Sequence, residues 1–308
     1  MSEHPEAIPV SVIGGYLGAG KTTLMNQLLR QANGLRFAVL VNEFGELPID
    51  ADLIESADDD MIAIAGGCIC CSYGSDLMAA LMELPQRLPD MDGVLIEASG
   101  VALPGGIVSA LSLLPEYRVD AVIVLADAET IRARADDRYL ADTVRRQLLD
   151  ADIVLANKSD LITSESLEDV LDWLTQHAPS SKLIATQHCR VPLAALHGAH
   201  STASLMSEES AEANPKPHFE SDDFVTLSLC PSTALDLHAV AQALIAADVG
   251  VLRAKGFLHS NSGKLHTLQI VGQRFDISPA PANVNAGFVC IGMREQLNQD
   301  LIARVLGV

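Results

Sequence analysis

The chain has 308 residues, 49% of them apolar, and carries 40 Asp and Glu against 20 Lys and Arg, for a formal charge of −20. This length allows about two domains and a sizeable core. The charge argues against nucleic acid and anionic membrane surfaces as partners, since both call for basic patches, and no apolar run approaches the length of a membrane-spanning helix.

Residues 1–6 are polar and acidic and lack the basic and apolar regions of a secretory signal. The expected compartment is the cytoplasm, where six cysteines are not expected to pair as disulfides. Cys189, Cys230 and Cys290 stand singly in apolar settings and read as small core residues.

Along the chain, β-rich runs at 8–13, 36–41, 61–65, 93–97, 121–126, 153–156 and 182–185 alternate with helical patterns at 21–31, 76–84, 137–149 and 167–177. Such alternation predicts an α/β fold with a mainly parallel sheet over residues 1–197. Residues 198–223 are rich in Ser, Glu, Ala and Pro and read as a linker. From 224 to 308 the pattern changes to strands at 224–229, 252–259, 265–271 and 288–291, with helices at 235–246 and 294–306. That predicts a smaller α+β domain.

Gly15-Tyr16-Leu17-Gly18-Ala19-Gly20-Lys21-Thr22 matches the P-loop pattern between a predicted strand and a predicted helix. The glycines let backbone N–H groups turn toward a phosphate, and the helix start adds partial positive charge. Gly15, Gly18, Ala19, Gly20, Lys21, Thr22 and Thr23 form the expected phosphate-binding set. Lys21 reaches the β- and γ-phosphates and the Thr22 hydroxyl ligates Mg²⁺. Val94-Leu95-Ile96-Glu97 ends a second core strand with an acid, the place of a Walker-B carboxylate, and Gly100 follows within reach of the γ-phosphate. Lys21, Glu97 and Gly100 are therefore the candidate catalytic residues.

Asn157-Lys158-Ser159-Asp160 follows the strand at 153–156 and matches the N-K-x-D pattern of guanine-reading loops. The Asp160 carboxylate accepts from guanine N1–H and its exocyclic amine, a donor pair that adenine lacks. Asn157 bonds the base and neighbouring loops, and the Lys158 stem lies along the ring. GTP is thus expected over ATP.

Cys68-Ile69-Cys70-Cys71 crowds three thiols into four residues after Gly66-Gly67. Thiolates suit Zn(II) or Cu(I), with Co(II) accommodated when N or O ligands are added. Three of them leave one position open on a tetrahedral ion, which suits a carrier better than a closed structural site. Glu43, Glu46 and Asp50, in the segment after the second strand, are candidates for sensing Mg²⁺ or for completing the metal site.

P-loop, C-x-C-C, acid-ended strand and N-K-x-D, in this order, make the chain resemble the CobW-like metallochaperone GTPases, relatives of the urease and hydrogenase nickel-insertion GTPases. The likeness extends through Val41-Asn42-Glu43-Phe44-Gly45-Glu46-Leu47-Pro48-Ile49-Asp50 and, in the second domain, Arg253-Ala254-Lys255-Gly256-Phe257. It implies slow GTP hydrolysis coupled to binding and transfer of a transition metal, zinc or else cobalt, to a client metalloprotein. A homodimer is left open, and a GTP-regulated metal store or sensor with little turnover is the alternative. The chain departs from the family pattern at Gly66, at Ser72-Tyr73-Gly74 and at Leu103.

Overall fold

The computed structural model describes residues 7–42, 62–66, 75–198, 223–282 and 284–308. The chain divides into two units, Met1–Leu193 and Ala194–Val308. Among the described residues of the first unit, seven strands form one sheet: β1 (Ile8–Gly15), β2 (Phe37–Asn42), β3 (Ile62–Gly66), β4 (Gly93–Glu97), β5 (Tyr117–Asp127), β6 (Ile153–Asn157) and β7 (Lys182–Thr186). Their order is β3-β2-β4-β1-β5-β6-β7 and every pairing is parallel. Strands of such sheets are covered on both faces and read as unbroken apolar runs, as Val94-Leu95-Ile96 and Ile153-Val154-Leu155-Ala156 do; all seven residues are fully buried.

Helices α1 (Lys21–Arg30), α2 (Ser75–Arg87), α3 (Pro104–Leu111), α4 (Ile131–Ala135), α5 (Ala141–Leu149) and α6 (Ser164–His177) connect and cover the strands. Leu81 and Leu84 of α2 and Ile107 and Leu111 of α3 pack with Val10, Val12, Ala38, Leu40, Val94 and Ile96. Ile131 of α4, Val144 and Leu148 of α5, and Val170 and Leu174 of α6 pack with Val122, Val124 and Val154.

Two departures from the sequence reading have clear causes. The helix expected over 137–149 is α5 alone and starts only at Ala141, because Asp137 Oδ1 accepts from the Tyr139 and Leu140 N–H groups (2.8 and 3.1 Å) and holds the chain in a turn there; the short α4 before it was not expected. Helix α3 was not expected, since Pro104-Gly105-Gly106 reads as a turn. Proline is well placed at the first helical position, and the Asp150 carboxylate, brought in from the end of α5, accepts from the Gly105 N–H at 2.8 Å.

In the second unit, β8 (Phe224–Leu229), β9 (Val251–His259), β10 (Leu265–Val271), β11 (Arg274–Pro279) and β12 (Gly287–Met293) form an antiparallel sheet in the order β11-β10-β9-β12-β8. Helices Leu237–Ile245 and Gln299–Leu306 pack Val240, Leu244, Ile302 and Leu306 onto Ala254, Leu268, Ile270 and Phe288. Both start on side-chain caps, Asp236 Oδ1 accepting from His238 N and Asn298 Oδ1 from Leu301 N. The α+β expectation holds, with the edge strand β11 added. Cys189 and Cys290 are buried as expected, whereas Cys230 is exposed at the end of β8. No helix among the described residues is long and apolar enough to cross a membrane.

Candidate functional site

All seven parallel strands end at one edge of the sheet, where open α/β sheets hold ligands. The register fixes which residues meet there. Glu97 pairs with Ile13 on one side and Val41 on the other, Asn42 pairs with Gly66, Asp127 with Asn157, and Asn157 with Thr186. The phosphate-loop, acid-ended and base-loop strands therefore end at the same edge, the row through Glu97 and Ile13 lying four residues below the row through Asp127 and Asn157.

The phosphate loop runs from β1 into α1 through Gly20, whose φ of +107° is open to glycine at little cost. A Cβ there would also stand 2.6 Å from Asn157 Nδ2, so position 20 demands glycine for space as well as for backbone shape. No side chain caps the N-terminus of α1 and no acid stands in its first turn. Its leading N–H groups and partial positive charge are thus left for an anion by the helix's own side chains. Lys21 opens the helix and is buried, Thr22 is half-buried and Thr23 exposed. The Thr22 hydroxyl donates to Glu97 Oε1 at 3.1 Å, and Glu97 is only 3% exposed. A hydroxyl and a carboxylate meeting beside the phosphate loop are hard oxygen donors that fit a magnesium ion. Gly100, in the turn after β4, lies against the loop: a Cβ on it would stand 2.9 Å from the Leu17 backbone nitrogen.

The base loop is built into the same edge. Asn157 is buried and its amide is used within the protein: Nδ2 donates to Ala19 O at 2.9 Å and Oδ1 accepts from Cys189 N at 3.1 Å. It joins the phosphate loop to the loop after β7, the neighbouring-loop half of the role expected for it. Lys158 takes a left-handed conformation at φ +63°, and its ammonium donates to Asp127 Oδ2 at 2.7 Å. That contact steadies the long stem of the side chain. The Ser159 hydroxyl donates to Thr186 O at 3.1 Å, which pins the short turn Ser159–Leu161 and leaves Asp160 exposed at its centre.

Asp127 and the loop after β7 were missed in the sequence. Asp127 carries the signal that singled out Glu97, an acid closing an apolar strand. Nothing local marks Cys189: its Sγ donates to Gly20 O at 3.4 Å, and both it and His188 have positive φ. Burial pushes the Cys189 thiol up to about 12, against the pull of the nearby Lys158 charge. A thiol held neutral is a packing group and a weak donor, not a metal ligand.

Glu43, Glu46, Asp50, Cys68, Cys70 and Cys71 lie outside the described residues. Among the described residues no cluster of three or more His, Cys, Asp or Glu is placed to hold a metal ion.

Comparison with known proteins gives a consistent picture. The CobW/HypB/UreG nucleotide-binding domain matches residues 9–185, and the cobalamin synthesis protein cobW C-terminal domain matches residues 224–306. The chain is 32% identical over 311 residues to the zinc chaperone CobW of Pseudomonas aeruginosa, spanning 87% of this chain and 82% of that protein. It is 32% identical over 225 residues to the zinc chaperone YjiA of Escherichia coli, spanning 70% of this chain and 68% of that protein. Superposed on the Zn(II)-bound YjiA GTPase from Escherichia coli, it gives a TM-score of 0.45 at 22% identity, with 98% of each chain covered.

Proposed function

The chain belongs to the CobW/HypB/UreG family, and from that membership we propose that it binds and slowly hydrolyses GTP and uses the nucleotide state to take up a transition metal and pass it to a client metalloprotein. The observation that carries this reading is the meeting of the phosphate loop, the acid-ended strand and the base loop at one sheet edge. Thr22 and Glu97 stand beside the phosphate loop, and Lys158 and Asp160 stand where Asn157 ties the base loop to that same phosphate loop. Cys68 follows Gly66 by two residues, and Gly66 is paired with Asn42, the residue before Glu43. The strands that precede the acidic and cysteine segments in the chain, β2 and β3, are neighbours, and β2 also pairs with the strand that carries Glu97.

In this reading the leading N–H groups of α1 and the Lys21 ammonium hold the β- and γ-phosphates, and Asp160 selects guanine. Thr22 and Glu97 would hold Mg²⁺, which would supply neutralising charge for phosphoryl transfer. The Gly100 N–H faces the γ-phosphate and steadies charge on the transferred group. Water attacks the γ-phosphorus, the bond to the β–γ bridging oxygen breaks, and GDP and phosphate leave. Segments held by a γ-phosphate relax on its loss, so the three thiolates of Cys68, Cys70 and Cys71 release their ion at that step. Zinc is the assigned cargo, because thiolates favour it and the relatives are named zinc chaperones. Both GTP and reduced thiols are available in the cytoplasm, the compartment this reading assigns.

Single-turnover hydrolysis of GTP with and without Zn²⁺ tests the proposal. The expected result is slow hydrolysis that metal accelerates. GTP binding with no turnover under either condition would replace the carrier reading with a GTP-set metal store.

A further inference from the structure

Two polar side chains outside the sequence motifs reach the loops on either side of the γ-phosphate position. The first is Gln147 of α5. It lies between Val144 and Leu148 on the buried face of the helix and is 1% exposed. A buried amide is costly unless hydrogen-bonded, and this one is: Nε2 donates to Gly100 O at 3.2 Å and to Ala102 O at 2.8 Å. An amide nitrogen has two N–H groups, and both are directed at the single turn that carries Gly100.

The second is Arg134 of α4. Its Nη1 donates to Leu17 O at 3.0 Å and its Nε to Thr130 Oγ1 at 3.0 Å, while the guanidinium carbon sits 4.6 Å from the centre of the Tyr16 ring. Three contacts on one planar, charged group fix its direction. Leu17 has no anchor of its own in the core, being 55% exposed. Its backbone is the part of the phosphate loop that Gly100 approaches, with a Cβ at position 100 reaching 2.9 Å from the Leu17 nitrogen. Helices α4 and α5 pack on one another, and Arg145 of α5 pairs with Asp136 at 3.2 Å just after α4. The two sides of the γ-phosphate position are thus fastened to one helix pair.

We infer that Arg134 and Gln147 are positioning residues: acting through Leu17 and Gly100, they set the width of the γ-phosphate position and with it the rate of GTP turnover, without contributing to the guanine or β-phosphate contacts. The inference rests on the GTPase reading above. GDP has no γ-phosphate, so GDP binding is insensitive to this width, whereas phosphoryl transfer depends on small errors in position.

The test replaces each residue by methionine, which keeps much of the side-chain volume and removes the donors. In Arg134→Met and Gln147→Met, kcat for GTP is expected to fall at least about tenfold while GDP affinity stays within about twofold of the wild type. The double variant is expected to lose little more than the worse single one, because both serve one geometry. Arg134→Lys keeps the charge and is expected to recover only part of the rate. An unchanged kcat in both single variants, or a fall in GDP affinity matching the fall in kcat, overturns the inference. Should Gln147→Met fail to fold, Arg134→Met decides alone, since its side chain is half-exposed. A wild-type protein that neither binds nor hydrolyses GTP overturns the GTPase reading instead, and that outcome is read before any variant is made.

Discussion

Lys21→Ala is expected to lower GTP turnover by at least about a hundredfold, the scale of losing one well-placed charge-stabilising donor. Lys21 is the sole cationic side chain between Gly15 and Thr23. It opens α1 directly after the left-handed Gly20 and is held at 8% exposure, close to the Thr22–Glu97 pair. Charge builds on the transferring group during phosphoryl transfer, so a fixed ammonium stabilises the transition state more than the bound nucleotide. Binding is expected to suffer less than turnover, because the N–H groups and the dipole of α1 remain. The fold should persist, alanine being the best helix former. Single-turnover hydrolysis and GDP binding, measured on the same preparation, check this. Parallel loss in both would mean that Lys21 holds the ground state only.

Asp160→Asn is expected to invert base preference, lowering GTP affinity by about a hundredfold or more and admitting XTP. A carboxylate only accepts, whereas an amide presents one acceptor and two donors. Against guanine, the new donors face the N1–H or the exocyclic amine, and a site built for hydrogen bonds rejects a mismatched partner by about 10⁴-fold in favourable cases. Xanthine carries a carbonyl where guanine has its amine, so the amide pairs with it. Asp160 is exposed at the centre of a short turn pinned by Ser159, and the substitution leaves the Lys158–Asp127 contact in place. Competition binding with GTP, ITP, XTP and ATP reads the result. A variant that keeps the wild-type preference would show that the base is read elsewhere.

The parts of this site that were legible in the sequence are those whose meaning is local. A P-loop, an acid closing an apolar strand and an N-K-x-D turn each carry spacing and chemistry within a few residues, and each stands at a strand end as expected. What was not legible depends on register between distant segments. Asp127 gains its role because β5 pairs with β6 so that it faces Asn157. Gln147 reads as an ordinary helical position until α5 is laid beside the turn after β4. Cys189 reads as a core thiol, which it is, but its neighbour is the phosphate loop.

Secondary structure shows the same division. Most strands buried on both faces were found with bounds close to those observed, because long apolar runs have few alternatives; β5 starts four residues before its expected 121, where Arg118 and Asp120 break the apolar run. Helix α3 was hidden by a Pro-Gly-Gly start that reads as a turn and is completed by an acid from another helix. Strand β11 was hidden because an edge strand with two large apolar residues, closed by Pro279, carries little pattern.

In the proposed function, nucleotide state sets metal affinity at Cys68, Cys70 and Cys71. The most direct test of this is the Zn²⁺ affinity of the full chain bound to a non-hydrolysable GTP analogue and bound to GDP, with the Cys68→Ser, Cys70→Ser, Cys71→Ser variant as the control for zinc held elsewhere. Coupling between two sites is typically worth about 5- to 150-fold in affinity. Zinc is expected to bind more tightly in the GTP-analogue state by a factor in that range, and the difference is expected to vanish in the triple variant. Equal zinc affinity in the two nucleotide states would contradict the proposal.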